Sequence, residues 1–366
     1  MNILVLLTDA FGSGGGIAKF NRDLLTALCL YNSVGHVVAL PRVIRDTIEE
    51  LPEKLTYKTT AAGSLLNYGS EFLKHTFAKR GSYDLVICGH INLVPFAVVA
   101  AKRLNVPFVL IIHGIDAWEN PERPFLKNAL THVDYIVSVS EFTKEKFLQW
   151  SGFDRNNITV IPNCIELDKF ETGPKPQYLK NRYLLEDEHK IILTLGRLAG
   201  RERAKGFDEI LEVLPDLLSE KPDIRYMIAG DGPDRQRLEQ KANQLGVSEE
   251  VIFAGYVPEE EKADHYRLSD VFAMPGRGEG FGIVYLEAMA CGIPVIASTA
   301  DASREAVLNG DIGEVTNPND PESIKKSIHK FLGKEKKVPV RLKFFSFEQF
   351  CKRWKNFLEE SVKIRT

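Results

Sequence analysis

The chain has 366 residues, with 47 basic and 50 acidic side chains interspersed along it and a formal net charge of -3. That balance offers no basic field to a nucleic-acid backbone, so nucleic acid is not an expected partner, and the length suits two domains better than one core. Five cysteines (Cys29, Cys88, Cys164, Cys291, Cys351) are odd in number and lack a Cys-x-x-Cys pair, which speaks against a disulfide framework or a zinc site and for a reducing, cytoplasmic compartment.

Met1 to Thr8 reads as a buried strand without the basic n-region of a signal peptide. The strand pattern continues at His36 to Leu40, Asp84 to Cys88, Pro107 to Ile112, Tyr135 to Val139 and Ile158 to Ile161. Helical periodicity fills Ile17 to Leu30, Leu93 to Leu104 and Glu141 to Trp150, the last with Ser140 as N-cap. Pro162 to Pro176 carries three prolines and no period, and marks the linker. A second series has strands at Lys190 to Leu195, Arg225 to Ala229, Val251 to Phe253, Val271 to Met274, Val295 to Ala297 and Gly313 to Val315. Its helices are Asp208 to Leu218, Pro233 to Leu245, Ile283 to Ala290 and Pro321 to Phe331, with Gly246 and Gly292 as stops. Ser346 to Val362 places aromatic residues at helical spacing, an amphipathic helix expected to pack on its own protein. The apolar stretches are shorter than the roughly 20 residues that span a bilayer, so the chain is read as soluble or at most peripheral. Alternating strands and helices in two series give an α/β class, two doubly wound domains, 1–168 and 169–345. In such sheets ligands bind beyond the strands' carboxyl ends, and a cleft between the domains is the expected site.

The most informative stretch is Glu279-Gly280-Phe281-Gly282-Ile283-Val284-Tyr285-Leu286-Glu287. A glycine-aromatic-glycine turn opens an apolar helix, whose N-terminal N–H groups suit anions and polar oxygens, and Glu287 lies one turn inside it. Two solvated helix residues are the plain alternative for this pair. Arg197 follows a strand and Lys205 precedes a helix, a pair of cations suited to a diphosphate: arginine forks two oxygens and lysine adds a point charge. Arg201, Glu202 and Arg203 between them read as a solvated loop. Asp9 to Gly16 is a glycine-rich loop between strand and helix that closes neither a dinucleotide fingerprint nor a Walker motif, and an unliganded mobile turn stands as its alternative. His113 leaves a strand end, with Asp116 beside it either to orient the imidazole or to meet a polar substrate. His90 stands at another strand end and carries less weight. No Asp-x-Asp and no cluster of hard oxygen ligands occurs, so no metal is expected.

With the glycine loop, His113, Arg197 with Lys205 and the two glutamates in this order, the chain resembles the retaining GT-B glycosyltransferases, specifically glycosyltransferase family 4. The resemblance is carried further by Ala229-Gly230-Asp231-Gly232-Pro233, Phe253-Ala254-Gly255-Tyr256-Val257 and Ala288 to Val295. It implies two Rossmann-like domains, a nucleotide-sugar donor held mainly by the second, no required metal or other cofactor, and a final helix, 346–366, that returns to complete the first domain. It also implies roles. Arg197 and Lys205 hold the diphosphate, Glu279 the sugar hydroxyls and Glu287 the ribose, with the backbone of Phe281, Gly282 and Ile283 on sugar and phosphates. Val257 meets the base, Gly15 and Gly16 approach the diphosphate or acceptor, His113 contacts the transferred sugar, and Asp116 lies on the acceptor side. Pro162-Asn163-Cys164 departs from the Pro-Asn-Gly frequent in the family.

The expected activity is transfer of a hexose, from a UDP-glucose-type donor first and GDP-mannose second, to a polysaccharide or lipid-linked glycan. Acceptor contacts are expected on N-terminal loops, notably Leu51 to His75. Peripheral contact with an anionic membrane is compatible with such an enzyme, although no strongly basic amphipathic helix is visible. Two other readings stay open: a sugar-nucleotide-binding subunit with weak catalysis, and an NAD-dependent oxidoreductase, the latter disfavoured by the failed fingerprint.

Overall fold

The computed structural model describes residues 1–48, 50–77, 79, 81–200 and 205–362. It divides into two compact units, Met1–Cys164 with Phe347–Thr366, and Ile165–Ser346. The change of unit at Cys164 falls within the proline-rich stretch read as the linker.

Among the described residues of the N-terminal unit, seven strands form one parallel sheet: β1 (Asn2–Leu7), β2 (His36–Pro41), β3 (Leu55–Tyr57), β4 (Leu85–Cys88), β5 (Phe108–Ile112), β6 (Tyr135–Ser138) and β7 (Ile158–Val160). Their order is β3-β2-β1-β4-β5-β6-β7. The chain winds outward from β1 and returns on its other side at β4, which makes the β1/β4 boundary the switch point. Six helices, α1 (Gly16–Leu30), α2 (Leu65–Thr76), α3 (Val94–Leu104), α4 (Ile115–Trp118), α5 (Pro124–Leu130) and α6 (Glu141–Ser151), connect the strands. Ser140 caps α6 as the sequence suggests, its Oγ accepting the Thr143 N–H at 3.1 Å. Strands β1, β4 and β5 are buried along nearly their whole length, which is why they read as continuous apolar runs.

In the C-terminal unit, α7 (Gln177–Arg182) precedes β8 (Lys190–Leu195), α8 (Phe207–Glu220), β9 (Ile224–Ala229), α9 (Arg235–Gln244), β10 (Val251–Gly255), α10 (Lys262–Leu268) and β11 (Val271–Ala273). The series ends with α11 (Ile283–Ala290), β12 (Val295–Ser298), α12 (Ser303–Ala306), β13 (Glu314–Thr316) and α13 (Pro321–Phe331). The parallel sheet runs β10-β9-β8-β11-β12-β13, so the switch point lies between β8 and β11. Leu193, Met227, Phe272 and Ile296 are fully buried across neighbouring strands.

The last helix, α14 (Phe347–Asn356), followed by a π-turn over Phe357–Ser361, belongs to the N-terminal unit. Its aromatic stripe packs on its own protein. Phe350 and Trp354 are fully buried, and Phe20 of α1 meets the Phe350 ring edge-on at 5.5 Å. Val362 ends the described part of this segment, and 363–366 lie outside it.

One expectation needs correction. Leu51 to His75 is not a run of loops, because it holds β3, a short 3-10 turn at Thr59–Ala61 and the twelve-residue α2. Tyr68 and Phe72 anchor α2 in the core while Leu65, Leu66 and Leu73 stay exposed. Apolar residues on both faces of α2 hide its period.

Candidate functional site

The switch point of the C-terminal unit gathers the residues singled out for a diphosphate sugar. Strands β8 and β11 are hydrogen-bonded neighbours, so the loops leaving their carboxyl ends start side by side. Arg197 stands exposed just beyond β8. The next residue, Leu198, is buried; its N–H donates to Asp231 O at 3.0 Å and its carbonyl accepts the Asp234 N–H at 2.9 Å. The segment bearing Arg197 is thereby tied to the loop after β9. Lys205 lies at the entrance to α8, and its Nζ donates to Glu279 Oε2 at 2.9 Å. Two residues far apart in sequence thus meet as one ion pair, both side chains under one-fifth exposed. Arg201, Glu202 and Arg203 lie outside the described residues.

The Glu279 to Glu287 stretch forms the turn and helix that the sequence suggests. Helix α11 starts after Gly282, at φ +94°, with no side-chain cap and no acidic residue in its first turn. Its first N–H groups therefore meet no competing carboxylate from the helix itself. A Cβ on Gly282 would sit 2.5 Å from the Tyr285 ring and 3.1 Å from Glu279 Cγ. The Phe281 side chain is buried edge-on against Phe345. Ile283 is 7% exposed, and Val257, two residues beyond β10, is 8% exposed.

Glu287 is not a solvated helix residue, for it is 2% exposed. Its Oε2 accepts the Tyr266 hydroxyl at 2.7 Å and its Oε1 the Lys262 ammonium at 3.4 Å, both from α10. Burial alone would depress the Lys262 pKa, but Glu287 and Glu259 outweigh it and hold it above the ordinary lysine value. Burial, reinforced by the Glu287 charge, raises the Tyr266 phenol. Glu279 has its own support: its backbone N–H donates to Asp301 Oδ2 at 2.9 Å. Lys262, Tyr266 and Asp301 are the site residues that sequence reasoning missed. The i, i+4 spacing of Lys262 and Tyr266 on one short helix is the only trace two of them leave.

In the N-terminal unit the glycine loop leads into α1 with Gly15 at φ +101°, and a Cβ on Gly14, Gly15 or Gly16 would meet nothing within 4 Å. That face is open, yet the loop is held. Arg22 donates to Ser13 O at 2.7 Å and Asn21 to Asp9 O at 2.8 Å, both reaching back from α1. His113 follows β5, and its Nε2 lies 2.9 Å from Gly89 O. A carbonyl only accepts, so Nε2 carries the proton and Nδ1 is left as an acceptor. Burial lowers the His113 pKa to about 4, and the ring is neutral at pH 7. Asp116 does not orient the imidazole; the Gly89 carbonyl does. Burial pushes the Asp116 carboxyl up to about 7, against backbone N–H bonds from His113, Asp116 and Gly114. His90 caps a 3-10 turn through Nδ1, which accepts the Asn92 N–H at 3.1 Å, a structural role. Cys164, where the family often has glycine, is fully buried and donates to Asp23 Oδ2 at 3.2 Å.

Two family models match the chain in tandem: Glycosyltransferase Family 4 over residues 14–169 and Glycosyl transferases group 1 over residues 177–343. The chain belongs to glycosyltransferase family 4. A GDP-mannose-dependent alpha-(1-6)-phosphatidylinositol monomannoside mannosyltransferase of Mycolicibacterium smegmatis is 36% identical over 213 residues, 55% of this chain and 54% of that protein. A D-inositol 3-phosphate glycosyltransferase of Xylanimonas cellulosilytica is 30% identical, over 66% of this chain and 61% of that protein. The chain thus spans about half the length of the mycobacterial relatives it matches. Among solved structures, Anabaena HepE in complex with UDP and glucose superposes with a TM-score of 0.76, at 19% identity and over 98% of this chain and 99% of that one. The fold of this family 4 chain is accordingly the GT-B fold, two Rossmann-like domains. Among the described residues no helix is long and apolar enough to cross a membrane.

Proposed function

We propose that the chain is a retaining glycosyltransferase that moves a hexose from a nucleoside-diphosphate sugar to a glycan or lipid-linked saccharide. The observation that carries this reading is the Lys205–Glu279 pair at the β8/β11 switch point, with Arg197 exposed on the same strand end and Glu287 one turn into α11. The roles follow from charge. Arg197 and Lys205 face the diphosphate, and Glu279 accepts hydroxyls of the sugar. Glu287, each of whose oxygens retains acceptor capacity beside its one bond, takes the ribose hydroxyls. Lys205 neutralises Glu279 in the structure; as donor binds, the diphosphate takes a share of the ammonium and the carboxylate turns to neutral hydroxyls.

In the reaction the bond from the anomeric carbon to the phosphate oxygen breaks and one to the acceptor oxygen forms on the same face. The leaving phosphate oxygen accepts the acceptor's proton. Charge grows on that phosphate, where Arg197 and Lys205 stabilise it, so positioning and electrostatics supply the rate enhancement. Independence of a metal is part of the proposal and is supported by the two cations and by a sequence without Asp-x-Asp. From the N-terminal unit, the neutral His113 offers Nδ1 to a sugar hydroxyl, Asp116 belongs to the acceptor side, and Gly15 and Gly16 present open backbone.

GDP-mannose becomes the first donor to test, ahead of the UDP-glucose type, because the 36% identical relative is named for it. A cytoplasmic enzyme acting at a membrane face fits the lipid acceptor in that relative's name. A thermal-shift series with UDP, GDP, ADP and dTDP, followed by donor hydrolysis with the preferred base, tests the reading. Lys205→Ala should abolish transfer and leave the fold intact. Full transfer by a normally folded Lys205→Ala protein would show the site to be wrongly assigned.

A further inference from the structure

We propose that Asp301 is a positioning residue for Glu279, fixing through the backbone the direction in which that carboxylate meets the donor sugar. The inference rests on the donor site proposed above. Asp301 lies between β12 and α12 and is fully buried. A carboxylate removed from water is retained only where its oxygens are satisfied. Here Oδ2 accepts the Glu279 N–H at 2.9 Å, while Oδ1 accepts the Ser303 N–H at 3.0 Å and the Ser303 hydroxyl at 2.6 Å. Ser303 Oγ in turn accepts the Ser298 N–H at 2.9 Å, which ties the group to the end of β12. The next residue completes the grip, since the Ala302 N–H donates to Glu279 O at 3.0 Å.

Both peptide groups flanking the Glu279 Cα are therefore held, and only its side-chain torsions are left to settle toward Lys205 or a ligand. The opposite flank of the loop is held by Arg277, which pairs with Glu209 and donates to Asn319 Oδ1 at 2.7 Å and to Pro318 O at 3.0 Å. Gly278 between these anchors, and Gly280 and Gly282 beyond them, give the loop no stiffness of its own. Burial pushes the Asp301 carboxyl up to about 6, with the Glu279 charge adding to it against the hydrogen bonds from Ser303 and the Glu279 N–H. Ionising it costs stability that a neutral side chain would not cost, the pattern of a group kept for the geometry of a site.

The test compares Asp301→Asn with Glu279→Gln, using the nucleotide pair chosen by the thermal-shift series, GDP with GDP-mannose or UDP with UDP-glucose. Asn replaces one acceptor oxygen by an NH2 that meets a backbone N–H in either amide orientation, so the bonds to the Glu279 and Ser303 peptides cannot both survive. Both variants should bind the bare nucleotide at least as tightly as the parent, lose the extra affinity given by the sugar, and lower kcat about tenfold or more. Parental turnover and sugar-dependent affinity in Asp301→Asn, with Glu279→Gln impaired, overturns the positioning role and leaves the donor site standing. An equal loss for nucleotide and nucleotide sugar in Asp301→Asn also overturns it, as that marks general damage. If Glu279→Gln itself behaves as the parent, the donor site is wrong and the inference falls with it. Should Asp301→Asn fail to fold, Ser303→Ala carries the test: it keeps the carboxylate, removes one of its bonds, and should lower the sugar-dependent affinity about threefold with the bare nucleotide unaffected. An unchanged sugar-dependent affinity in that variant overturns the proposal.

Discussion

Gly230→Ala is the substitution for which the structure makes the sharpest demand. Gly230 closes β9 at φ +141°, and a Cβ there would fall 1.9 Å from Gly196 O, the residue before Arg197. Real Cβ atoms keep at least 3.0 Å from such neighbours, so the ends of β8 and β9 must part by about 1 Å. The backbone conformation alone costs ~1–3 kcal/mol. Overpacking adds ~1–3 kcal/mol, and the strained Gly196 N–H to Ala229 O bond, 2.9 Å long, adds about 1 kcal/mol more. The expected loss is ~3–7 kcal/mol, together with displacement of Arg197 and weaker nucleotide binding. Gly246→Ala is the control. Gly246 has φ +72° and nothing within 4 Å of a Cβ, so it carries only the left-handed penalty of ~1–2 kcal/mol. Urea denaturation followed by far-UV circular dichroism is the assay, because the tryptophans Trp118, Trp150 and Trp354 all lie in the N-terminal unit. If the two variants differ by less than about 1 kcal/mol, the steric reasoning fails.

Tyr266→Phe removes the hydroxyl from a fully buried position beside Glu287, and should destabilise by ~1.5–3 kcal/mol in urea denaturation; a loss below about 0.5 kcal/mol would mean that the pair is not formed in solution. Trp354→Ala opens a cavity against Phe20 and Phe350, costing ~3–5 kcal/mol, and hydrogen exchange should show protection lost first along α1. His113 gives a pH test. Its pKa falls from 6.5 to about 4 on folding, so the unfolded chain binds more protons in that window, and its contribution is complete above 6.5 and lost as pH falls through about 4. His113→Asn should therefore flatten the fall in stability on acidification, by up to ~3 kcal/mol between those limits; an unchanged slope would refute the buried neutral ring.

Most elements of both sheets were legible because parallel strands buried on two faces are written as short apolar runs between helical periods. What escaped had a physical cause. Strand β3 has three residues, too few to show a period, and the exposed leucines of α2 mask its buried face. The start of α9 shifted from Pro233 to Arg235 because the Gly232 to Asp234 turn completes the hold on Leu198 first. The Lys205–Glu279 meeting was readable as chemistry but not as geometry, which the adjacency of β8 and β11 supplies. The supports of the two glutamates were not readable. Asp301 acts on the Glu279 peptide through a backbone bond, and Lys262 and Tyr266 act from a helix of seven residues. Such bonds depend on where loops fall in space, and local pattern does not record that.

The N-terminal unit is discontinuous in sequence, and this bears on how the molecule is made. During vectorial synthesis residues Met1–Cys164 emerge first, yet Phe350 and Trp354, two of the aromatic partners of Phe20, are encoded after the whole of Ile165–Ser346. The earlier-made unit waits with an apolar surface on α1 uncovered until the later-made one is complete. A stop codon or proteolytic cut just before Phe347 would thus injure the half of the protein farthest from it in sequence, while a tag fused beyond α14 reports on the closure of the unit that begins at Met1.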